Sequence, residues 1–548
     1  MGLDVNKKFA GIPGFHSLSG GIFMKWSKSL TAVLMSVVLL SASACSGTGS
    51  PEGAESSSAS KTGGSLIVAI KDDPKTFNPL YAGDRMSLTI GKSLFAPLFS
   101  INDGKKTFVL AESLTPSADL KSYVLKLRSG LTWHDGQKLT ADDVVFSFEQ
   151  VLDEKQHSYF RSLFVLDGKP IQAKKIDDLT VEFTLPQTTA AFEGALVQLI
   201  PVPKHIFAGE SDLEKSSKNN QPVGSGPFKF KEYRPGEYVT LERSDSYFAG
   251  KAKLDSITYR VAKDSSAAVL ALQNGEINMM LIEPQDYNKV KGTGQANVIT
   301  FPSGGVTTMV FNTNIEIMNK KEVRQAIVHG LDKKELITTG FSSQEFAEPA
   351  SSIFSPDTLY QQKDLKGYDY NPEKAKELLK AAGAEGLKIR FAYFNGSKAE
   401  ENMSLYLQQK LKAIGVTVEL IPLDGAALGK KALNKDNKEY DMSFGGYSMG
   451  FEPDAYKPLY LSSGSYNYSH YKNSDFDALW TKAAVETDPA KRAKLYQSIQ
   501  ELSAEEVTTY PIAYGKSIVA VDARFSGLEE AVPKQVVLFD DYSKIYMK

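Results

Sequence analysis

The chain has 548 residues, 42% of them hydrophobic, and its 63 basic and 65 acidic side chains nearly balance to a net charge of −2. Residues 1–44 carry four Lys and one Asp, so the remainder is more acidic. This charge argues against a nucleic-acid partner and against binding to membranes through a basic surface. At about 150 residues per domain, the length predicts roughly three domains' worth of core.

Residues 1–44 predict a targeting segment that takes no part in the fold. The uncharged stretch 29–44 follows two lysines and is shorter than the roughly 20 residues that a spanning helix needs. Cys45, the only cysteine, follows small residues, and the pattern resembles a bacterial lipoprotein signal in which that cysteine is lipidated. Met24 is where such a signal would begin. Ordinary signal-peptidase cleavage beside an incidental cysteine is the alternative.

The next segment, residues 46–64, is rich in Ser and Gly. This composition predicts a flexible tether with a reach on the order of 24 Å. No later stretch is apolar enough to predict a membrane-spanning helix. With Cys45 lipidated, the body has no disulfide and depends on its hydrophobic core for stability.

Up to residue 300, short alternating runs between Gly, Pro and Asp turns predict strands, in an α+β style. These runs are Ser65–Ile70, Tyr123–Leu127, Val181–Thr184, Val239–Arg243 and Ile257–Val261. One clear helix is predicted at 141–152 and another begins at 267–274. A helical spacing of apolar residues then predicts a helix over 322–337.

Residues 371–446 alternate between helix and strand. Asn371-Pro372 predicts the start of a helix that Gly383 ends. Further helices are predicted at 399–414 and near 425–436, and strands at 387–393, 416–421 and 440–444. This alternation requires a mainly parallel sheet, in which ligands bind beyond the carboxyl ends of the strands.

Residues 445–456, GGYSMGFEPDAY, follow the last of these strands and contain the hydrolase pattern G-x-S-x-G at 446–450. Pro453 would break the helix that must follow such a nucleophilic serine. His470, the only histidine after Ser448, is just 22 positions downstream, which leaves too little chain for the rest of that fold. The sequence therefore indicates that Ser448 is a loop residue and disfavours a hydrolase.

A series of motifs appears in a fixed order along the chain. They begin at Leu110 (LAESL), Tyr123 (YVLKLRSGLTWHDG), Leu139 (LTADDVVFSF), Val223 (VGSGPF), Ala271 (ALQNGEI), Phe311 (FNT), Val323 (VRQAI) and Gly445 (GGYSMGFEPD). As a set they resemble the signature of the extracellular solute-binding proteins, family 5, of peptide-type ABC transporters. The resemblance covers essentially residues 65–548.

The resemblance implies an α/β and α+β architecture: a two-lobed, periplasmic-binding-protein-like fold (type II, cluster C) with an extra inserted subdomain. We expect a discontinuous first lobe at 65–100, 217–303 and 510–548. The inserted subdomain is expected at 101–216 and the α/β second lobe at 304–509.

The resemblance also implies where a ligand binds. In peptide-binding relatives, segments corresponding to Phe95–Leu98, interpreted here as a strand piece, and to 445–449 enclose an extended peptide through backbone hydrogen bonds. Pro97 removes one backbone donor from its side. The candidate ligand-binding residues are Phe95, Ala96, Pro97, Gly446, Tyr447, Ser448, Met449, Glu452, Asp454, Tyr468 and His470.

Residues 444–480 are rich in aromatic side chains. They contain ten, where the chain average of 10% predicts about four. Tyrosine offers a large apolar contact and a hydroxyl at low entropic cost, which suits a ligand with varied side chains. We expect about half of the ten to pack in the core, including Phe444, Phe476 and Trp480.

The amino end of a peptide ligand is the point at which this sequence departs from its relatives. In several of them, an Asp three positions before the acidic residue of an acid-Pro pair contacts the ligand's α-amine; that position is Met449 here. Either Glu452 contacts the amine, or the amine stays in water and longer peptides are accepted. Methionine is an adaptable filler, which favours longer peptides. Asp454 is expected to accept hydrogen bonds in a turn.

The resemblance implies an exported receptor, lipid-anchored to the outer face of the cytoplasmic membrane, that captures oligopeptides. It would deliver them to ABC permease subunits and their ATPases, as a monomer, without catalysis, cofactor or nucleic acid. Nickel chelates, oligosaccharides and pheromone sensing are the alternatives. No two of the six histidines have metal-ligand spacing; His134 is expected to shape a turn, and His470 is the candidate contact for a nickel chelate.

Overall fold

The structure is a computed structural model that describes residues 62–548 except 103 and 449. The predicted targeting segment, Cys45 and most of the predicted tether lie outside the described residues. The strands are β1 (Ser65–Ile70), β2 (Phe99–Asn102), β3 (Lys105–Phe108), β4 (Ala111–Pro116), β5 (Ser122–Leu127), β6 (Val165–Leu166), β7 (Lys169–Pro170), β8 (Gln172–Asp177), β9 (Thr180–Thr184), β10 (Phe228–Arg234), β11 (Tyr238–Arg243), β12 (Ser256–Val261), β13 (Met279–Leu281), β14 (Ala296–Phe311), β15 (Ala347–Pro349), β16 (Lys388–Phe394), β17 (Thr417–Leu423), β18 (Met442–Tyr447), β19 (Thr509–Asp522), β20 (Phe525–Ser526), β21 (Pro533–Lys534), β22 (Leu538–Phe539) and β23 (Tyr546–Met547). The α-helices are α1 (Arg85–Leu94), α2 (Ala141–Leu152), α3 (Phe192–Leu196), α4 (Lys204–Phe207), α5 (Ser265–Gln273), α6 (Tyr287–Lys291), α7 (Glu316–Asn319), α8 (Lys321–His329), α9 (Lys333–Phe341), α10 (Pro372–Ala381), α11 (Lys398–Lys412), α12 (Gly425–Leu433), α13 (Lys457–Tyr460), α14 (Ser474–Val485) and α15 (Pro489–Glu506).

One large sheet organises the described strands. Its order is β10-β11-β12-β1-β13-β19-β14-β18-β16-β17, and β15 adds to β19. β14 and β19 pair antiparallel over most of their length, with a register shift between Pro302 and Val306. A separate four-stranded sheet, β4-β5-β9-β8, lies within the predicted inserted subdomain. The predicted strands up to residue 300 and helix 141–152 are confirmed.

The alternating region after residue 371 is also confirmed. The Asn371 side chain accepts from the backbone N–H of Lys374, and Pro372 opens α10, as the capping pattern predicts. β16 pairs in parallel with both β17 and β18. Because β18 also pairs antiparallel with β14, this parallel unit is joined to the rest of the sheet.

A single helix was predicted over 322–337, but the structure has two helices there, α8 and α9. The prediction of one continuous helix was therefore wrong. Gly330 lies at the junction, where an added Cβ would come 2.7 Å from the Ile414 side chain. The Asp332 carboxylate then accepts from the backbone N–H groups of Lys334 and Glu335 and starts α9. A new N-cap inside an apolar periodicity ends one helix and begins another.

Two large hydrophobic clusters lie on either side of the predicted lobe boundary. The first cluster draws on residues between Leu66 and Met279 and between Val519 and Ile545. The second draws on residues between Met309 and Ala513. The division differs from the predicted boundaries at the start of β19, because Tyr510, Ile512 and Ala513 belong to the second cluster although 510–548 was expected in the first lobe. The domain boundaries therefore stay predictions.

The VGSGPF motif holds the chain that leaves α1. The backbone N–H groups of Ser225 and Gly226 donate to the Leu94 carbonyl at 3.0 and 2.8 Å. The His134 ring spans the motif, with Nδ1 accepting from the Gly224 N–H at 3.1 Å and Nε2 lying 3.0 Å from the Gly226 carbonyl. Burial lowers the pKa of His134 to about 4. His134 lies in the turn that the Gly136 N–H closes by donating to the Trp133 carbonyl at 2.9 Å, as predicted, and its ring links this turn to the VGSGPF motif.

Replacing Gly224 with Ala is expected to destabilise this contact. The new Cβ would lie 2.0 Å from the Leu94 carbonyl oxygen, a backbone atom that cannot move aside. We expect the free energy of unfolding to fall by at least about 2 kcal/mol. Gly91→Ala is the control: it lies within α1 with nothing within 4 Å of the added Cβ, so we expect a gain of about 0.5–1 kcal/mol. Urea unfolding measures both, and equal stabilities would contradict the prediction.

Candidate functional site

The end of β18 presents an open sheet edge. On one side, Gly445, Gly446 and Tyr447 pair with Thr308, Thr307 and Val306 of β14. On the other side, β16 reaches only Met442 and Ser443, so 445–447 has no strand partner there among the described residues. Successive residues of a strand turn their backbone groups to alternate sides. Part of the N–H and C=O groups of this stretch therefore faces the open edge.

Gly446 and Ser448 are exposed at this edge, whereas Tyr447 is not free to bind with its side chain. The Tyr447 hydroxyl donates to the Ile353 carbonyl at 2.8 Å and lies 2.5 Å from the Tyr460 hydroxyl. Burial raises the pKa of Tyr447 well above its usual range. Tyr447 thus contributes its backbone to the edge and its ring to the interior.

The ring of Tyr447 packs against a buried aromatic cluster. That cluster contains Phe354, Tyr456, Tyr460, Phe476, Trp480 and Tyr496. Phe476 and Trp480 are core residues as predicted, and Phe444 packs in the second large cluster. Tyr456 and Tyr460 are buried as well. Five of the ten aromatic residues in 444–480 are therefore buried, in agreement with the expectation that about half pack in the core.

Carbonyl groups of the chain after Ser448 accept hydrogen bonds from the segment that follows β15. The Thr358 hydroxyl donates to the Gly450 carbonyl at 3.0 Å. The Leu359 N–H donates to the Phe451 carbonyl at 2.9 Å. Residue 449, the predicted contact Met449, lies outside the described residues. The open edge therefore leads into a loop that hydrogen bonds at Gly450 and Phe451 hold in place.

Glu452, predicted as a possible partner for a ligand amine, forms a buried ion pair instead. Its Oε1 lies 2.5 Å from the Arg492 guanidinium, and the two side chains are 15% and 4% exposed. The same carboxylate accepts from the Asp454 N–H and caps a 3-10 helix that begins at Pro453. Burial raises the pKa of Glu452, and the charge of Arg492 opposes that rise. Arg492, forty positions downstream, already neutralises this carboxylate, which disfavours the predicted contact with a ligand amine.

Asp454 is likewise engaged within the protein. Its Oδ1 accepts from the Tyr496 hydroxyl at 2.6 Å, and its Oδ2 lies 3.3 Å from Lys457. The expectation that Asp454 accepts hydrogen bonds in a turn or at an N-cap was wrong, because Glu452 is the N-cap and the Asp454 carboxylate bonds to Tyr496 on α15 instead. This internal engagement disfavours a ligand contact. Arg492 and Tyr496 are one turn apart on α15, so a single helix face fixes both carboxylates.

A segment of the predicted inserted subdomain covers this ion pair. An added Cβ on Gly194 of α3 would lie 3.0 Å from the Glu452 Cβ, so the absent side chain makes room for Glu452. The Thr189 hydroxyl and the Ala190 N–H both donate to the Ala484 carbonyl, at 3.2 and 3.4 Å. The loop that contains Glu452 therefore contacts α15 on one side and the segment 189–194 on another.

The segment Phe95–Leu98 is an extended loop between α1 and β2, not the strand piece that was predicted. Phe95 and Ala96 are buried, and Pro97 is partly exposed. The Ala96 N–H donates to the Ser225 hydroxyl at 3.2 Å, and the Pro97 carbonyl accepts from Leu110 at 3.1 Å. Much of its backbone is thus already bonded, which rules it out as a free edge strand.

Tyr468 and His470 lie near the opposite end of β18 from Gly446. Thr313, just beyond the β14 residue that pairs with Met442, donates to the Ser469 carbonyl through both its N–H and its hydroxyl, at 2.9 Å each. β18 is six residues long, and its two ends are about 16 Å apart at 3.3 Å per residue. The structure does not bring these two residues together with the open edge.

His470 is not part of any metal-ligand group in the described part of the chain. Its backbone is left-handed, with φ of +56°, and its Nε2 is buried. Burial lowers the pKa of the ring. The described residues contain no group of three or more His, Cys, Asp or Glu side chains placed to hold a metal ion.

Sequence reasoning missed Arg492 and Tyr496, which bind the carboxylates of Glu452 and Asp454. The buried residues of α15 are Arg492, Tyr496, Ile499, Gln500 and Ser503, at helical spacing on one face. An arginine on a face that also carries Tyr and Ile is unusual unless it is paired. The position of Arg492 on this apolar face was the feature of the sequence that could have indicated a buried ion pair.

Arg492→Met is expected to leave the Glu452 carboxylate buried without a partner. Breaking a buried pair from one side costs about 3–5 kcal/mol, and urea unfolding measures this loss. The double variant Glu452→Gln/Arg492→Met should lose less, because neither charge then remains. Lys71→Met is the control, since the Lys71–Glu283 pair is 63% and 43% exposed and should contribute no more than about 1 kcal/mol. Arg492→Met and Lys71→Met losses of similar size would contradict the buried-pair argument.

Comparisons with known proteins agree with this architecture. The family model "Bacterial extracellular solute-binding proteins, family 5 Middle" matches residues 108–470. The crystal structure of the ABC transporter substrate-binding protein CtaP from Listeria monocytogenes has a TM-score of 0.87 at 48% identity, covering 89% of this chain and 100% of that one. None of the helices in the described part of the chain is long and apolar enough to cross a membrane.

A second relative is the oligopeptide-binding protein AppA of Bacillus subtilis. It is 31% identical over 527 residues, covering 92% of this chain and 96% of its own. Its structure in complex with a nonapeptide has a TM-score of 0.75 at 28% identity, with 89% and 100% of the two chains covered. NikZ of Campylobacter jejuni, solved with Ni(L-His), shares the fold at 23% identity with a TM-score of 0.77, covering 88% and 99%. The chain has the two-lobed fold of these proteins and belongs to the bacterial extracellular solute-binding proteins, family 5.

Proposed function

We propose that this chain is the receptor of an ABC importer and that it captures oligopeptides in the cleft between its lobes. The observation that carries the proposal is the open edge of β18 at 445–447. An extended peptide can add to such an edge through main-chain hydrogen bonds, which tolerate varied side chains. Support also comes from AppA, a family member that binds a nonapeptide.

The main-chain contacts would fall mainly on β18. Gly445 and Gly446 carry no side chains, so a peptide backbone can approach closely. The segment Phe95–Pro97 would form the facing wall with few free backbone groups, since its Ala96 N–H and Pro97 carbonyl are bonded within the protein. Each hydrogen bond between the peptide and β18 would contribute about 0.5–1.5 kcal/mol net, and the rest of the affinity would come from closure of the lobes.

The amino end of the peptide would remain in water. Glu452 is paired with Arg492 and Asp454 with Tyr496, so neither is available for an α-amine. A buried ammonium without a carboxylate partner would cost several kcal/mol. This favours peptides long enough to place the amine outside the cleft, and it disfavours dipeptides.

Closure would bend the two long strands. We place the lobe boundaries at 303/304 and 509/510, within β14 and at the start of β19, with the inserted subdomain at 101–216. Gly304 has a φ of +68° and lies in the register shift of β14, where the ladder is interrupted. Ligand contacts to both lobes would bias this hinge toward the closed state.

Binding of a nine-residue peptide, the length seen in the AppA complex, tests the proposal by calorimetry. We expect N-methylation of single backbone amides to weaken binding about tenfold at alternate positions, because alternate amides of a strand face its neighbour. N-acetylation should change the affinity by less than about tenfold, roughly 1.4 kcal/mol. Free dipeptides should bind poorly.

Exchanging Leu for Ile in the same peptide is the matched control, and it should leave the affinity nearly unchanged. Losses that follow side-chain identity and not backbone methylation would contradict edge pairing. A hundredfold loss on acetylation would instead show that the protein holds the amine, and the length preference would then be wrong.

The alternatives share the fold and differ in the ligand. A nickel chelate held by His470 is disfavoured, because His470 lies at the far end of β18 from the open edge. An oligosaccharide would make little use of unpaired strand groups. Hydrolysis at Ser448 is disfavoured because a loop and a 3-10 helix beginning at Pro453 follow it, and His470 is distant. Pheromone sensing would use the same peptide-binding mode.

We further propose that the receptor is exported and lipid-anchored at Cys45 to the outer face of the cytoplasmic membrane. Residues 46–64 would tether it, as a monomer, near the permease and its ATPases. A single cysteine at the end of an apolar segment supports this proposal. It needs no cofactor and no nucleic acid.

Cys45→Ser should release the protein from membranes without weakening peptide binding. One acyl chain anchors only marginally and two anchor stably, so losing the lipidated residue removes the attachment. Membrane fractionation after a salt wash, followed by calorimetry on the released protein, measures both properties. A Cys45→Ser protein that stays with washed membranes would overturn the lipoprotein assignment.

A further inference from the structure

A small cavity lies in the predicted second lobe, away from the open edge of β18. It is partly open to solvent and is lined by the start of α9, the chain after β15, the end of α15 and the start of β19. Its volume is about 20 Å³, and a cavity needs about 10–15 Å³ to hold one water-sized species. Any occupant is therefore a single small molecule or ion.

The wall of this cavity carries positive charge and no acid. Lys333 and Lys366 line it, and no Asp or Glu is among its lining residues. No carboxylate in the described part of the chain lies within ion-pair distance of Lys333. Lys366 is exposed at the mouth. Asp332, next to Lys333 in the chain, is an acid whose charge reaches this wall: after burial and Tyr368, it raises the pKa of Tyr510. Lys333 is half-buried, and a partly buried ammonium without an ion-pair partner is costly, so the Lys333 side of the cavity favours an anion.

Lys333 has hydrogen-bonding capacity left over. Its Nζ donates to the Ala350 carbonyl at 2.7 Å and lies 4.3 Å from the centre of the Tyr510 ring. An ammonium has three N–H donors and no acceptor. One donor is bonded, a second can face the ring, and a third remains for the cavity. Burial lowers the pKa of Lys333 to about 7, so the group is charged below neutral pH.

Two buried hydroxyls line the same cavity without partners. Tyr510 and Ser503 are 3% and 4% exposed, and neither hydroxyl has a hydrogen-bond partner among the described groups. Unsatisfied buried hydroxyls are rare and each costs about 1–3 kcal/mol. Both belong to residues that line the cavity, as Lys333 does, so the wall of one small space is built from a lysine and two residues with unpartnered hydroxyls.

We propose that this cavity is a binding site for one small monovalent anion of halide size, held by the Lys333 ammonium and the hydroxyls of Ser503 and Tyr510. The anion accepts from all three donors and supplies the charge that Lys333 lacks. It joins α9, α15 and the first residues of β19. The site is independent of the peptide-binding proposal, because none of its residues belongs to the open edge.

The test uses bromide, which an X-ray anomalous map identifies. Crystals of the mature protein grown in sodium bromide at pH 6, where Lys333 is charged, should show one bromide in the cavity within contact of Nζ. In solution, sodium chloride should raise the unfolding temperature more than sodium gluconate at equal ionic strength, since gluconate is too large to enter. A cavity that holds only water, with no difference between the two salts, would overturn the proposal.

Variants separate the site from general salt effects. Lys333→Met should lower the apparent chloride affinity about tenfold or more, as expected when a charged donor is removed. Lys334→Met, an exposed neighbour on the same helix, should keep the chloride response of the wild type. Ser503→Ala and Tyr510→Phe each remove one hydroxyl and should weaken the response in a protein that still folds. A full chloride response in all of these variants would rule the site out.

Discussion

The antiparallel pairing of β14 with β19 is the constraint on which the rest of the molecule depends. β19 pairs with β13 on its other side and β14 pairs with β18, so these two strands connect the N-terminal strands to the parallel unit β16–β18. Their side chains alternate between clusters: Val519 and Val521 enter the first, while Ile518 and Ala520 pack against α5 and α6. One ladder therefore sets the position of every strand near the site.

The candidate site combines a rigid part, held by the Glu452–Arg492 ion pair, with a strand edge at 445–447 whose backbone groups are not all hydrogen-bonded. Buried charge fixes the rigid part, because Arg492 is 4% exposed and its pairing with Glu452 is lost if either side chain moves. The edge, by contrast, has backbone groups that only water or a partner can satisfy. A receptor for varied ligands needs this division, since the rigid part lowers the entropy lost on binding while backbone groups impose no side-chain preference.

Local patterns in the sequence predicted much of the fold and less of the site. Asn371-Pro372 and the alternating strand at 388–394 depend on near neighbours, and both were predicted. Gly330 and Asp332 divided a predicted helix, because packing against Ile414 and a new cap outweighed the periodicity. Glu452 could not be assigned from its own surroundings, since its partner is on α15. The segment 445–449 was assigned to the ligand by resemblance, but its open edge could not be derived from local pattern, because it exists only where β16 stops pairing with β18.

An open strand edge also has a consequence for solubility. Unpaired backbone groups can template pairing with another chain, and proteins usually protect such edges with charges, proline or short length. Here the unpaired stretch covers three residues, includes two glycines, and runs into a chain fixed at Gly450 and Phe451. A foreign strand that the lobes do not close around would find too little length to form a stable ladder. The brevity of the edge that suits a ligand thus also limits self-association and aggregation.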